Sequence, residues 1–233
     1  MAKKEFFLVL DVETANFTQD PLVYDLGFQV IDRKGNIYES ESFIIYDIFV
    51  LEKDLMQSAY YAEKIPSYEA QIKAKNSRLV QFSTARKILL SVIKKYDIHK
   101  VGAYNAAFDR NALNTTLRYI TKSEQRYFFP YGIEWFCIWH MACQTILSQK
   151  KFFKTAEKNN WFSPSKNLLT NAEVCFRYME KDPSFSEEHK GLQDVEIECK
   201  IFLKVLSQKK KVNWSVNRSC WRIPNKAYKA LSQ

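Results

Sequence analysis

The stretch Leu8-Val9-Leu10-Asp11-Val12-Glu13-Thr14 decides the fold, because an apolar run of strand length, residues 6–12, is interrupted by a carboxylate. A buried strand excludes an unpaired charge, so Asp11 needs a cation or a hydrogen-bond donor. Asp11 and Glu13 are two residues apart, and alternate side chains of an extended chain point to the same face. Two anions there need a cation between them, for which Mg²⁺ or Mn²⁺ is the usual choice. Taken alone, such a triplet more often marks a strand that runs into a polar loop.

The composition predicts a globular protein. A length of 233 residues favours one domain with appendages, or at most two small domains. With 46% hydrophobic and 15% aromatic residues, the chain can bury a sizeable core, which excludes disorder over most of its length. No apolar stretch reaches the roughly 18 residues of a membrane span, so we expect neither a membrane anchor nor a signal peptide.

Cysteine usage and net charge indicate the compartment and the partner. The five cysteines are odd in number and contain no Cys-x-x-Cys pair. This pattern is typical of reduced thiols in a cytoplasmic protein and argues against a zinc cage or a disulfide framework. The net charge of +9 favours a polyanionic partner, nucleic acid first, with ordinary solubility as the alternative.

The order of predicted elements indicates a mixed α/β sheet flanked by helices. Residues 23–31 and 37–45 read as strands separated by a turn at Gly35, and with the first strand they form an antiparallel meander. Residues 46–80 show no clean strand pattern and predict short helices and loops. Helical spacing covers 81–96, a segment that begins near Asn105, 168–180 and 191–206, and further strands are predicted at 100–104 and 135–139.

A second carboxylate follows a predicted strand end. Asp109 lies in the first turn of the helix that begins near Asn105. The positive end of a helix favours an anion, so a purely structural role is open to Asp109. Asn105 is a good N-cap residue in its own right, however, which leaves the Asp109 carboxylate for another task.

A third carboxylate lies within a strongly predicted helix. Asp194 shares a helical row with Ile197, and a carboxylate in line with core residues needs a cation or a donor. His189 precedes it by five residues, and imidazole has the unperturbed pKa that best suits proton transfer near neutral pH. His189 is therefore a candidate general base. His99 and His140 have no acidic residue at a telling interval and are interpreted as structural.

The three stretches together resemble the motifs of the DEDDh family of 3′-to-5′ exonucleases. The motifs are Asp11-x-Glu13, Asn105-x-x-Phe108-Asp109 and His189-x-x-x-x-Asp194, and the family includes the proofreading subunit of bacterial DNA polymerase III, ribonuclease T and oligoribonuclease. The resemblance implies a ribonuclease H-like fold, a five-stranded mixed sheet flanked by helices. It divides the chain into an exonuclease domain, 1–206, and a basic, Trp-containing C-terminal tail, 207–233, without a counterpart in the family.

The resemblance also implies a function. A metal-dependent 3′-5′ exonuclease would release nucleoside 5′-monophosphates from the 3′ end of single-stranded DNA or RNA by two-metal hydrolysis. His189 would act as the general base. The two divalent cations, Mg²⁺ or Mn²⁺, would be held by Asp11, Glu13, Asp109 and Asp194.

Two positions depart from the family pattern. Gly191 stands where the family commonly has Ala, and Cys137-Ile138 stands where it often has Asp-Thr. Neither belongs to the catalytic set, and the second is a place where substrate contacts would differ. The interval between His189 and Asp194 favours the His branch over the related Tyr branch.

Substrate contacts are expected within and beside the motifs. Phe17 follows the first motif and offers a stacking surface for a terminal base. Residues 150–162 interleave lysines with aromatic residues, which suits a single strand; the alternative is that the aromatic side chains pack inward and the lysines are solvated. The predicted substrate-binding residues are Thr14, Phe17, Asn105, Phe108, Lys150 and Lys151.

Other functions use some of the same features. A non-catalytic nucleic-acid-binding subunit that retains the exonuclease fold would lack a motif carboxylate or the histidine, and none is missing here. A phosphate-binding protein with a structural metal would carry a Gly-rich phosphate loop, which the sequence lacks. The choice between DNA and RNA, a place in DNA replication or repair, a polymerase or replication partner, a homodimer and the role of the tail are left open.

Overall fold

In the computed structural model, which describes residues 4–57 and 59–231, one mixed β-sheet forms the centre of the protein. Its strands are β1 (Phe6–Ala15), β2 (Leu22–Asp32), β3 (Ile37–Ile45), β4 (Arg78–Val80), β5 (Lys100–Ala103) and β6 (Glu134–Cys137). They lie in the order β4-β3-β2-β1-β5-β6. The first three strands pair antiparallel, whereas β4 is parallel to β3, β5 to β1 and β6 to β5.

Helices cover both faces of this sheet and enclose a core on each. They are α1 (Tyr46–Phe49), α2 (Lys53–Gln57), α3 (Ile65–Lys73), α4 (Phe82–Tyr96), α5 (Ala106–Thr121), α6 (Ile138–Gln144), α7 (Lys150–Asn159), α8 (Ala172–Glu180), α9 (Gly191–Leu206) and α10 (Arg222–Lys229). Among the described residues, no helix has the length and apolar composition that crossing a bilayer requires.

The side chains of β1 alternate between the two cores, as expected for a strand buried on both faces. Leu8 and Leu10 belong to the core that contains α4 and α5. Phe7 belongs to the other core, which α9 helps to form. The same alternation places Asp11 and Glu13 on the side of Phe7, at the end of the strand where the apolar packing stops.

The predicted mixed α/β sheet is observed, but with six strands where five were expected. The additional strand, β4, lies within the segment 46–80, whose sequence shows no strand pattern. It is only three residues long and occupies the edge of the sheet, where Arg78 and Leu79 are exposed. A strand this short and this exposed leaves no apolar alternation to detect.

The start of α9 lies directly on β2. A Cβ atom at Gly27 would lie 2.2 Å from the carbonyl carbon of Gly191, and one at Gly191 would lie 2.6 Å from the nitrogen of Gly27. Neither position can carry a side chain while the two backbones remain in contact. The close approach of Gly27 therefore accounts for the glycine at position 191, where the family commonly has Ala.

A buried carboxylate on β2 fixes this junction. Asp25 accepts hydrogen bonds from the Gly191 N–H at 3.0 Å, the Tyr68 hydroxyl at 2.9 Å and the Ser42 hydroxyl at 3.1 Å. The N–H groups of the first helical turn have no partner within the helix. Lys190, at the N-cap of α9, makes no side-chain capping bond, so Asp25 supplies the acceptor from another element.

The C-terminal tail packs on the core that contains Phe7, which is called the second core below. Trp214 stacks on Phe7 at 5.8 Å and meets Phe136 and Phe202 edge-on at 5.3 and 5.7 Å. Cys220 is completely buried in the same core. Whatever further role the tail has, these residues stabilise the sheet from which the acidic motif projects.

The contact between β2 and α9 gives a stability prediction. Gly191→Ala should lower the free energy of unfolding by about 1–3 kcal/mol, because the new methyl group would overlap the backbone of Gly27. Glu196→Ala, on the exposed side of α9, is the control and should stay within about 0.5 kcal/mol of wild type. Urea unfolding followed by tryptophan fluorescence measures both. Equal stability of the two variants would show that the fold does not depend on this contact.

Candidate active site

β1 and β2 bring two acidic residues to the place where α9 begins. In their antiparallel register, Asp11 lies opposite Gly27 and Glu13 lies opposite Asp25. Directly opposite residues of such a pair point to the same side of the sheet. The register shifts between Glu13 and Thr14, a bulge of the kind that often lies next to active sites. The β2–α9 junction therefore lies beside the two motif carboxylates.

Asp109 reaches the same place from α5. β5 pairs with β1 over only two residues, after which the chain turns into the helix. The Asp109 carboxylate accepts hydrogen bonds from the backbone N–H of Val12 and from its own N–H. Since Val12 lies between Asp11 and Glu13, Asp109 lies beside them. Burial nevertheless raises the pKa of Asp109 to about 7.

Asn105 occupies the N-cap position of α5, as predicted, but the expectation that its side chain caps the helix is wrong. The N–H of Phe108 instead bonds to the backbone carbonyl of Asn105 at 2.7 Å. Because the first turn is satisfied by this carbonyl and by Asp109, the amide of Asn105 is not needed there. Its side chain is exposed and lines a cleft beside Phe108.

Glu13, His189 and Asp194 form a compact group. One potential ligand atom from each of the three lies within 4.8 Å of the other two. Burial and the charge of Asp194 raise the pKa of Glu13 to about 8. Burial likewise raises the pKa of Asp194 to about 7. The side chains of the first and third motifs are thus brought together, as the sequence predicts.

His189 is held by residues from outside the motifs. Its backbone adopts the left-handed region, with φ +50°, which is uncommon for a residue other than glycine. The ring stacks on Tyr61 at 4.6 Å with an interplanar angle of 16°. Lys64 lies 4.2 Å from the centre of the Tyr61 ring and donates to the carbonyl of Glu188 at 2.5 Å. Burial and then the Lys64 charge lower the pKa of His189 from its usual value, which favours the neutral form of the ring.

The loop that precedes His189 is fastened to α8. Glu173 accepts the N–H of Glu187 at 3.0 Å and forms an ion pair with Arg177 at 2.9 Å. Arg177 also donates to the carbonyl of Phe185 at 2.6 Å. One potential ligand atom from each of Glu173, Glu187 and His189 lies within 4.8 Å of the others. His189 therefore belongs to two acidic groups, of which the sequence predicts only the first.

A fifth carboxylate, absent from the motifs, is buried on the helix that carries Asp194. Glu198 lies one helical turn after Asp194 on α9 and is 4% exposed. Burial and then the charge of Asp109 raise its pKa well above the usual range. For Asp11, burial and then the charge of Glu198 have the same effect. The spacing of four residues from Asp194 was the available signal, because positions four apart share a helical face.

The cluster fits divalent cations. Burial and then the charges of neighbouring carboxylates raise the pKa values of Asp11 and Glu13, and burial raises that of Asp109, so these groups resist ionisation without a counter-charge. Among the described residues, two buried side-chain oxygens have no hydrogen-bond partner, Asp194 Oδ1 and Glu198 Oε2. Carboxylate oxygens are the ligands that Mg²⁺ and Mn²⁺ prefer. Cations would therefore satisfy both the charge and the unpaired oxygens.

Two adjoining clefts lie beside the start of α5. Phe17, which is 78% exposed, begins the turn that borders the first cleft. This cleft, of about 630 Å³, is lined by Thr18, Gln19, Asn105, Ala107, Phe108, Asn111, Trp139 and Arg218. The second, of about 340 Å³, is lined by Ala107, Arg110, Asn111, Asn114, Arg118, Tyr127 and Arg218. The tail residue Arg218 borders both, a placement that its sequence context does not signal.

The lysine-rich segment behaves as the alternative interpretation describes. Phe152, Phe153 and Trp161 are buried in the second core, so the prediction that these aromatic residues stack on bases is wrong. Helical spacing puts the aromatic side chains inward and the lysines outward on α7. Lys150 and Lys151 are exposed, and Lys151 borders a separate groove that shares no residue with the two clefts. Their contact with substrate stays a prediction.

The residues interpreted as structural make local contacts. His140 is buried and its Nδ1 lies 2.7 Å from the carbonyl oxygen of Ser215 in the tail. His99 is exposed and pairs with Asp97 at 3.2 Å. Cys137, at the second departure from the family pattern, accepts the His140 N–H at 3.4 Å and so caps α6. At this position, where the family often has Asp, the Cys137 thiol therefore caps α6.

No protein-family model and no curated protein matches this sequence. Among the solved structures that share its fold are two nucleases, each at 11% sequence identity. E. coli exonuclease I in complex with a dA16 oligonucleotide matches 84% of the chain with a TM-score of 0.51, and the chain covers 40% of exonuclease I. Cell-death related nuclease 4 (CRN-4) matches 97% of the chain with a TM-score of 0.51, and 77% of CRN-4 is covered. The predicted resemblance to 3′-5′ exonucleases is confirmed for the fold.

The raised pKa values predict that the metal-free protein loses stability as the pH rises. A carboxylate whose pKa is higher in the folded state binds more protons there, so stability falls between its unfolded and folded pKa values. For Glu13 this window runs from 4.5 to about 8, and for Asp109 and Asp194 from 3.8 to about 7. In EDTA the melting temperature should fall between about pH 5 and about pH 8, and Mg²⁺ or Mn²⁺ should restore it.

Asp11→Asn serves as the matched variant for this experiment. It removes one repelling charge, so its melting temperature in EDTA near pH 8 should exceed that of wild type. Its response to added metal should be smaller. Wild-type melting that depends neither on pH nor on metal would contradict a shared cation site.

Proposed function

We propose that this protein is a metal-dependent 3′-5′ exonuclease that hydrolyses single-stranded nucleic acid and releases nucleoside 5′-monophosphates. The observation that carries this proposal is the group formed by His189, Glu13 and Asp194, in which a ring nitrogen of His189 lies within 4.8 Å of a carboxylate oxygen of each acid. The fold shared with two nucleases supports phosphodiester hydrolysis. An oligonucleotide is bound in the exonuclease I structure, which supports nucleic acid as the substrate class.

The chain's own residues divide the work of hydrolysis. When bound, divalent cations supply the positive charge that favours ionised water and stabilises the departing 3′ oxygen. His189 accepts the proton of the water that attacks the last phosphodiester, because its lowered pKa leaves it unprotonated. Stacking on Tyr61 fixes the plane of the ring. The cations, two Mg²⁺ or Mn²⁺, would be held by Asp11, Glu13, Asp109 and Asp194.

The two clefts offer a path for the strand beside Asn105 and Phe108, which belong to the same motif as Asp109. Phe17 presents an exposed ring on which the terminal base can stack. Beyond it, the exposed guanidinium groups of Arg110 and Arg218 line the second cleft. Arg118 lies over the Tyr127 ring at 5.2 Å, which adds an aromatic surface. Cations interleaved with aromatic rings suit a flexible single strand, whose phosphates and bases both need partners.

Other readings have less support. A non-catalytic binding subunit would not need a histidine beside two buried carboxylates, yet this arrangement is present. No described surface identifies a polymerase partner or a homodimer, and the proposal includes neither. A cytoplasmic location belongs to the proposal, since all five cysteines are buried and unpaired.

The test of the proposal is single-turnover hydrolysis of 3′-labelled DNA and RNA oligonucleotides, with His189→Ala as the decisive variant. A general base contributes about 10²–10⁴-fold, so His189→Ala should lose activity by that factor, in kcat more than in KM. Its stabilisation by metal should persist, because the four carboxylates remain. His99→Ala, at an exposed histidine outside the site, should match wild type.

The pH profile adds a second readout. The wild-type rate should fall on the acid side of 6.5, where His189, with its lowered pKa, becomes protonated. His189→Ala should lack this acid limb. A variant within about threefold of wild type that keeps the same limb would remove His189 from the mechanism. If the wild-type protein hydrolyses neither DNA nor RNA in the presence of Mg²⁺ or Mn²⁺, the proposed nuclease activity is refuted.

The path through the clefts is tested by binding. Arg218→Ala should weaken the affinity for an oligonucleotide of about ten nucleotides and make the salt slope shallower by about 0.7, the value for one lost phosphate contact on a single strand. Arg222→Ala is the matched control, because Arg222 is exposed on the tail but lies over Trp221, outside both clefts. Fluorescence anisotropy in EDTA measures both without hydrolysis. Identical slopes for the two variants would place the strand elsewhere.

A further inference from the structure

A third cleft, of about 560 Å³, adjoins the two clefts of the proposed strand path. It shares Arg110, Asn114 and Tyr127 with the second cleft. The second cleft in turn shares Arg218 with the first, which is bordered by the turn that begins at Phe17. The third cleft also includes residues of β6, the edge strand of the sheet. The three clefts therefore form one continuous surface from that turn to the edge of the sheet.

Aromatic side chains surround the third cleft. Tyr131 is fully exposed and Tyr127 is 63% exposed. Trp135 is half-buried, and its ring lies 5.7 Å from that of the buried Phe129, which also lines the cleft. Single exposed aromatic residues are ordinary on a protein surface, but these rings are gathered around one concavity. They offer flat apolar faces of the kind on which nucleobases stack.

The loop that carries both tyrosines, residues 122–133, is fixed to α5. Asn114 Oδ1 accepts the N–H of Phe128 at 2.8 Å, and the Phe128 ring is completely buried. Arg118 donates to the carbonyl of Arg126 at 3.1 Å. The exposed rings are therefore presented by a backbone that is anchored before any ligand arrives. Preorganisation of this kind lowers the entropic cost of binding.

The charged residues of the third cleft divide it into two parts. Arg110, at the side shared with the second cleft, is exposed and offers a cation for a phosphate. Glu134, on β6, lines only the third cleft and is an exposed anion, which disfavours a phosphate close to it. Stacking on aromatic rings, and not ion pairing, is therefore the interaction that the cleft offers beside β6.

We propose that the third cleft binds unpaired bases on the 5′ side of the terminal nucleotide, by stacking them on Tyr127 and Tyr131. This inference rests on the proposed function, which directs the 3′ end to the acidic cluster and the strand into the first two clefts. Stacking needs bases that are free of a complementary strand, so the third cleft favours a single strand over a duplex. It also makes the affinity depend on strand length, because a short strand does not reach it.

The experiment is fluorescence anisotropy in EDTA with 5′-labelled single strands of about 5 and about 15 nucleotides, within the usual range of site sizes. Tyr131→Ala should weaken binding of the longer strand by about fivefold or more, the smallest effect expected for the loss of one stacked base. The shorter strand, held in the first two clefts, should bind this variant as it binds wild type. Tyr131→Phe keeps the ring and is the matched control, which should bind both strands normally. Because Tyr131 is fully exposed, neither substitution endangers the fold.

A blunt duplex separates base stacking from contacts with the sugar-phosphate backbone. Its bases are paired, so Tyr131→Ala should leave its affinity unchanged. Equal weakening of duplex and single strand would overturn the proposal. Normal affinity of Tyr131→Ala for the longer strand would also overturn it, and would favour a protein as the occupant of the third cleft.

Failure of this inference is distinguishable from failure of the proposed function. Weaker binding in Arg218→Ala but not in Tyr131→Ala would refute the third cleft alone. If the wild-type protein binds no single strand, both the third cleft and the proposed path are refuted. Binding that depends on Tyr131, without any hydrolysis in Mg²⁺ or Mn²⁺, would refute the nuclease activity and still support the binding site.

Discussion

The contact between the backbones of Gly27 and Gly191 is the constraint on which the site depends. It seats the first turn of α9 on β2, directly across from Asp11 in the β1–β2 register. Every acidic group that α9 contributes, and the histidine that precedes the helix, is positioned by that contact. Asp25 secures it by accepting the Gly191 N–H. A buried carboxylate with three donors thus fixes the helix that carries Asp194 and Glu198, each of which has one oxygen without a hydrogen-bond partner among the described residues. The geometry of the site thus depends on the two glycines, Gly27 and Gly191, and on the hydrogen-bonded carboxylate of Asp25.

The same arrangement concentrates unfavourable charge. The carboxylates of the cluster are held in positions where burial and mutual repulsion raise their pKa values, so the metal-free fold is stabilised in spite of this site and not because of it. The two apolar cores supply the compensating stability, and the tail contributes through Trp214, which packs against three phenylalanines of the sheet and α9. The tail, which carries no motif of its own, therefore contributes packing energy that offsets the unfavourable charge of the site.

The sequence predicted the elements whose signal is local. Apolar periodicity located α9, and the interruption of an apolar strand located Asp11, because each pattern lies within one element. Glu198 was not predicted, although its spacing of four residues from Asp194 puts it on the same helical face, whereas Glu196, two residues from Asp194, is exposed. Tyr61 and Lys64 come from a segment without regular periodicity, and Arg218 reaches its clefts from the far end of the chain. The lysine-rich segment was ambiguous because both interpretations of Phe152 share one helical spacing.

The environment of His189 determines whether its pKa is raised or lowered, which the motifs leave open. Nearby carboxylates raise the pKa of a histidine, whereas burial and neighbouring cations lower it. In this site burial has the largest effect, the charge of Lys64 adds to it, and Glu173 opposes both, so the pKa is lowered. Lys64 is itself held by the carbonyl of Glu188 and by the ring of Tyr61, the same ring on which His189 stacks. The fold therefore lowers the pKa of His189 with burial and a cation of its own, a direction that suits the proposed role of this residue as general base.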